Sequence, residues 1–128
     1  MTYTNPVFNQ REGCNDRIIN DLRTGVALSG GQAVGMSGDT LALATINDIP
    51  LGWVGNYYNS GEVVDIIRDG RIVVQVAEAI SAGIPVCAGV NGTVESFTVT
   101  RHKTGGATAC GIMVENVASG LFGAMEII

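Results

Sequence analysis

The sequence predicts an all-β fold built from hairpins behind an extended N-terminal arm, and three observations carry that prediction. Glycine occurs 18 times in 128 residues, about twice the ~7% share of an average chain. So many glycines weaken helices and suit tight turns. Runs of β-branched residues are separated by Asp-Gly and Asn-Gly pairs, which favour hairpin turns. A pattern of glycines and apolar residues also recurs in the two halves of the chain, so two related β units are expected.

The arm comes first. Residues 1–25 read as the arm and 26–128 as the β domain. Residues 1–24 are rich in asparagine (Asn5, Asn9, Asn15, Asn20) and neutral, because Arg11, Arg17 and Arg23 balance Glu12, Asp16 and Asp21. Asp16 to Leu22 has room for one or two helical turns with Ile18, Ile19 and Leu22 on one face, too short a segment to stand alone in water. It either frays as a terminus or orders against another subunit. In the second case Arg11, Arg17, Ile18 and Ile19 are the expected contact residues.

In the body, Glu62–Ile67 and Arg71–Glu78 flank Asp69-Gly70 and are expected to pair as a hairpin, with Ile67 facing Ile72, Asp65 facing Val74 and Val63 facing Val76. Apolar residues fall on both faces of that pair, so both faces need cover. Pro85–Val90 and Thr93–Thr100 flank Asn91-Gly92 as a second hairpin. Thr108–Glu115 and Leu121–Ile128, joined through Ala118-Ser119-Gly120, form a third.

The repeat is visible at two offsets. Leu28-Ser-Gly-Gly-Gln-Ala-Val34 lies over Ile80-Ser-Ala-Gly-Ile-Pro-Val86, an offset of 52. Leu51-Gly-Trp-Val54 resembles Cys110-Gly-Ile-Met113, and each of those glycines precedes another nine residues later, Gly61 and Gly120. Asp65-Ile66-Ile67 and Glu126-Ile127-Ile128 read as matching ends.

Composition excludes several functions. The net charge of −5 and pI of about 4.6 have the wrong sign for nucleic acid or an anionic membrane surface, so neither is an expected partner. Charged residues are 15% of the chain and apolar ones 46%. So few charges suggest that part of the surface is covered by a partner. The longest apolar stretch, Ala79 to Val90, is broken by Ser81, Gly83, Pro85 and Gly89 and falls short of a membrane span. The start has neither the basic cluster nor the apolar run of a secretory peptide, so the expected folding compartment is the cytoplasm. Cys14, Cys87 and Cys110 form no C-x-x-C pair, and the latter two read as reduced core residues.

Reactive groups are sparse. His102 sits between Arg101 and Lys103, whose charges disfavour a third cation, in a loop ending at Gly105-Gly106. Gly30–Gly35 lacks the Gly-Lys-Ser/Thr ending of a phosphate loop, and Gly35–Asp39 has Asp39 where a nucleophile elbow needs glycine. Asn91-Gly92-Thr93 fits a glycosylation acceptor but is explained by the hairpin turn. Asp65 and Glu78 have no spacing that brings them together. No enzymatic activity, cofactor or metal is expected. Trp53, after Gly52, reads as core, yet with Tyr57 and Tyr58 it forms the densest aromatic cluster. Those three residues are the expected contact edge.

The order of these pieces resembles a family of small phage capsid decoration, or cement, proteins. Its pattern of glycine-apolar strands is matched by Gly31–Val34, Leu51–Val54, Gly61–Ile66, Gly70–Val74, Gly83–Val86, Asn91–Val94, Cys110–Val114 and Gly120–Ile128, over residues 26–128. The arm, longer and richer in asparagine than the family pattern, and the loop ending at Gly105-Gly106 depart from it. The resemblance implies a β-barrel or tulip-shaped domain on the outer surface of an icosahedral phage head. Its partners would be the major capsid protein and further copies of itself in a homotrimer that strengthens contacts between capsomers. A tail or fibre component of a virion is the rival reading, and a small-ligand-binding barrel a more distant one.

Overall fold

The computed structural model describes residues 22–98 and 109–128. The all-β expectation holds, and the described residues carry nine strands and a single 3-10 turn. The strands are β1 (Ala33–Ser37), β2 (Thr40–Leu43), β3 (Gly52–Val54), β4 (Ile66–Ile67), β5 (Arg71–Gln75), β6 (Pro85–Ala88), β7 (Val94–Ser96), β8 (Gly111–Met113) and β9 (Phe122–Ile127). They form two antiparallel sheets, in the orders β2-β1-β3-β4 and β5-β9-β8-β6-β7.

Both sheets close on themselves. In the first, Arg23 bridges to Val63 and Thr24 to Leu41, so the segment 22–25 fills the gap between β4 and β2. Bonds from Thr24 N–H to Glu62 O (3.1 Å), Val64 N–H to Leu22 O (2.9 Å) and Gly25 N–H to Leu41 O (2.9 Å) hold it there. Leu22 to Gly25, assigned from sequence to the arm, are thus part of the first barrel. In the second, β5 continues to Val76, which bridges to Val94 of β7. Ala77 N–H donates to Val94 O at 2.8 Å. Thr24 and Val76 occupy matching inward positions. The Thr24 hydroxyl, 1% exposed, donates to Val26 O at 2.6 Å, which satisfies a polar group inside an apolar barrel.

The repeat is therefore structural as well as sequential. Gly31 N–H donates to Val54 O and Gly83 N–H to Met113 O, both at 2.7 Å. Leu28 and Tyr58 exchange two bonds of 2.9 Å, as do Ile80 and Val117. The Ser60 hydroxyl donates to Gly25 O and the Ser119 hydroxyl to Ala77 O. One detail of the sequence alignment is corrected. Trp53 pairs with Ile67 and Ile112 with Glu126, so Ile67 matches Glu126, and the two acidic-apolar triplets are not equivalent.

The hairpin expected around Asp69-Gly70 does not form. Ile67 pairs with Trp53, and Ile72 pairs with Met125. Asp69-Gly70 is instead the link that carries the chain from the first barrel into the second. The apolar residues on both faces of the flanking runs have separate explanations. Ile66 faces the first barrel, Ile67 the space between barrels, and Ile72 and Val74 the interior of the second. The other two hairpins form as expected. Asn91 and Gly92 both take positive φ, 50° and 81°, between β6 and β7, and β8 pairs with β9 from Gly111 to Met113.

Each barrel has its own core. Leu28, Val34, Leu41, Val54 and Val64 fill the first. Val74, Val76, Val86, Val94, Met113 and Met125 fill the second. The outer face of the first barrel is also buried, because Ala33, Ala44, Trp53 and Ile67 pack against the second. A bond of 2.7 Å from Gly92 N–H to Ala44 O crosses that contact.

Candidate attachment surface

The expected contact residues separate once they are placed in the fold. Arg11, Arg17, Ile18 and Ile19 lie outside the described residues, as do His102 and the Gly105-Gly106 loop. Trp53 is 3% exposed between the two barrels, which corrects its assignment to a contact edge. Alternation along β3 sends Val54 into the first barrel and Trp53 outward, and the second barrel covers that outward face. Tyr58 is half-buried, exchanges backbone bonds with Leu28, and its hydroxyl accepts from Asp65 N–H at 3.3 Å. Tyr57, 63% exposed, is the one member of the cluster that stands out into solvent.

Among the described residues the groups that could do chemistry are apart or engaged in structure. Asp65 belongs to the wall of the first barrel, while the Glu78 carboxylate accepts from Ser96 N–H at 3.0 Å in the second. A shallow groove lies between Ala79–Ser81 and Asn116–Ala118. Its Asn116 side chain accepts from Ala82 N–H at 2.9 Å, so it fixes the turn. Among the described residues no three His, Cys, Asp or Glu side chains gather in a metal-binding group.

Cys87 and Cys110 behave as core residues. Cys87 is 1% exposed, and Cys110 is half-buried beside it. Burial, with the nearby Cys87 thiol adding to it, pushes the Cys110 thiol from 9.0 up to about 12. Thiolate is the reactive species, so at pH 8 its fraction at Cys110 is about a thousandfold below that of an ordinary thiol. Alkylation of the folded chain with iodoacetamide, followed by peptide mass spectrometry, should find Cys110 unmodified long after a free thiol standard has reacted. Rapid labelling would contradict this placement.

What the surface offers is apolar side chains on convex walls. Val73 (55% exposed) and Phe122 (57%) stand on the outer face of the second barrel, and Ile46 (43%) and Ile49 (63%) on the loop between β2 and β3. That loop is held in shape by Thr45 N–H donating to the Asp48 carboxylate at 2.9 Å. Sequence reading missed these residues, although the alternation in Arg71-Ile-Val-Val-Gln75 already puts Val73 on the side of Arg71 and Gln75. Arg71 also pairs with Glu126 at 3.1 Å on this outer face. At the closing bridges Thr24–Leu41 and Val76–Val94 the edge strands are already paired within the chain, which leaves less open edge for a partner strand to extend.

The fold defines a class, a tandem of two small closed β-barrels with convex, partly apolar walls. No protein-family model matches the chain, and no curated protein sequence does. Among solved structures the chain is similar to the head fiber gp8.5 N base of bacteriophage phi29. The TM-score is 0.68 at 18% sequence identity, over 84% of this chain and 90% of that one. At that identity the likeness establishes the shared fold.

Proposed function

We propose that the chain is a structural component of a phage virion, attached to the outer surface of the head and acting as a cement between capsomers. The observation that carries this reading is the tandem-barrel fold held in common with a phage head fiber base. The partners in this reading are the major capsid protein and further copies of the chain, as a homotrimer made in the host cytoplasm. Catalysis, cofactors, nucleic acid and membranes have no part in it. The net charge of −5 supports a place outside the shell, since packaged DNA repels an acidic protein. Several weak side-chain contacts made by one oligomer act together through effective concentration. A second reading, the base of a fibre on the head, is favoured by the role in the name of the similar structure.

Virions produced by the genome that encodes the chain test both readings. Mass spectrometry of purified particles, with antibody labelling, should find the chain on heads. Shells lacking it should release DNA at a lower temperature than complete ones. Particles without the chain overturn the proposal; an unchanged release temperature with loss of head fibres favours the fibre base.

A further inference from the structure

We propose that copies of this chain join head to tail, repeating between molecules the contact that its two barrels make within one. The proposal rests on the self-association part of the reading above and not on attachment to a head.

The internal contact has two sides. On the first barrel it is the outer face carrying Gly31, Gln32, Ala33 and Trp53. On the second it is the end formed by the turn at Gly92, by Ala88 and by the start of β5. A Cβ placed on Gly31 would lie 2.6 Å from Val73 O, and one on Gly92 would lie 3.0 Å from Leu43 and 3.1 Å from Gln32. Ala88 is 1% exposed and Ile72 8%.

Each side has an unoccupied counterpart in the other barrel. Gly83 matches Gly31 in sequence, in its φ of 87° and in its hydrogen bond. Yet among the described residues a Cβ there would meet nothing within 4 Å. The residues beside it are apolar, with Ile84 (38% exposed), Pro85 and Ile112 in the places of Gln32, Ala33 and Trp53. The opposite end is equally open. A Cβ on Gly38, in the turn that matches the one at Gly92, also meets nothing within 4 Å among the described residues. Met36 stands where the second barrel has Ala88, and it is 49% exposed.

Among the described residues the molecule thus has one apolar outer face and one uncovered barrel end, in the same backbone geometry as the pair of surfaces that fits internally but with different side chains, Ile84, Pro85 and Ile112 on the face and Met36 at the end. A contact between two different patches is heterologous, so it either closes into a ring or grows as a filament. Glu126, where the first barrel has Ile67, pairs with Arg71 at 3.1 Å and places a polar rim beside the apolar centre, as interfaces between separately folded chains have.

The test is sedimentation velocity on the full chain and on two variants, Ile84→Glu and Met36→Glu, with circular dichroism melts to check folding. The wild type should sediment above monomer size. Each variant alone should be monomeric, since each lacks one of the two surfaces. An equimolar mixture should give a heterodimer and nothing larger, because one intact face meets one intact end. If either variant misfolds, Pro85→Arg and Ser37→Arg, at exposed positions on the same two surfaces, replace them. A wild type that stays monomeric up to its solubility limit overturns the proposal. So do folded variants that associate like wild type, or a mixture that stays monomeric. A chain found on heads yet monomeric in solution overturns this contact and leaves the head assignment standing. Association as described, with the chain absent from virions, does the reverse.

Discussion

Gly31→Ala should destabilise the chain markedly more than Gly83→Ala, although the two glycines occupy the same place in the repeat. Both have a φ of 87°, so alanine at either position carries the steric penalty of a left-handed backbone, about 1–2 kcal/mol. Only at Gly31 would the new methyl also collide with the neighbouring barrel, 2.6 Å from the Val73 carbonyl oxygen. A backbone atom cannot swing aside as a side-chain tip can, and overpacking of this kind adds about 1–3 kcal/mol. Thermal melts at low protein concentration measure the difference, at several degrees for each kcal/mol in a chain of this size. Equal melting temperatures for the two variants would mean that the barrels do not press together at this point.

Trp53→Ala should cost about 3–5 kcal/mol, a large part of the 5–15 kcal/mol that holds a small domain together. The side chain is 3% exposed and joins the two barrels. Its indole N–H is buried with no hydrogen-bond partner among the described residues, a group whose burial is itself unfavourable by about 1–3 kcal/mol. Trp53→Phe keeps most of the packing and removes that N–H, so it should cost much less than the alanine variant. Tyr57→Ala, at the exposed end of the same aromatic cluster, should stay within about 0.5 kcal/mol of the parent. Urea unfolding followed by far-ultraviolet circular dichroism separates the three. A Trp53→Ala chain as stable as Tyr57→Ala would return Trp53 to the surface.

These comparisons also show how much was legible in the sequence. The repeat could be read directly, because Gly31 and Gly83, or Gly52 and Gly111, serve the same local backbone geometry in each copy. Asn91-Gly92 could be read for the same reason, since both residues take the positive φ that this dipeptide favours. Asp69-Gly70 has the same turn chemistry but a different outcome. Partners distant in sequence decide it: β4 is taken by β3, and β5 is taken by β9. Local propensity holds no information on that competition. The same limit applies to Trp53. Alternation shows which face of β3 it occupies, but not that a second barrel covers that face. The surface offered by Ile84, Met36 and Gly38 is defined by what covers the matching positions of the other half, which no local stretch of sequence carries.

The single bridges that close each sheet, Thr24 to Leu41 and Val76 to Val94, have a consequence for production in bulk. β-rich chains at high concentration tend to recruit one another's backbones into fibrous aggregates. Here each cylinder has backbone groups already engaged where its seam closes. Crowded molecules therefore meet less open edge to extend at these seams.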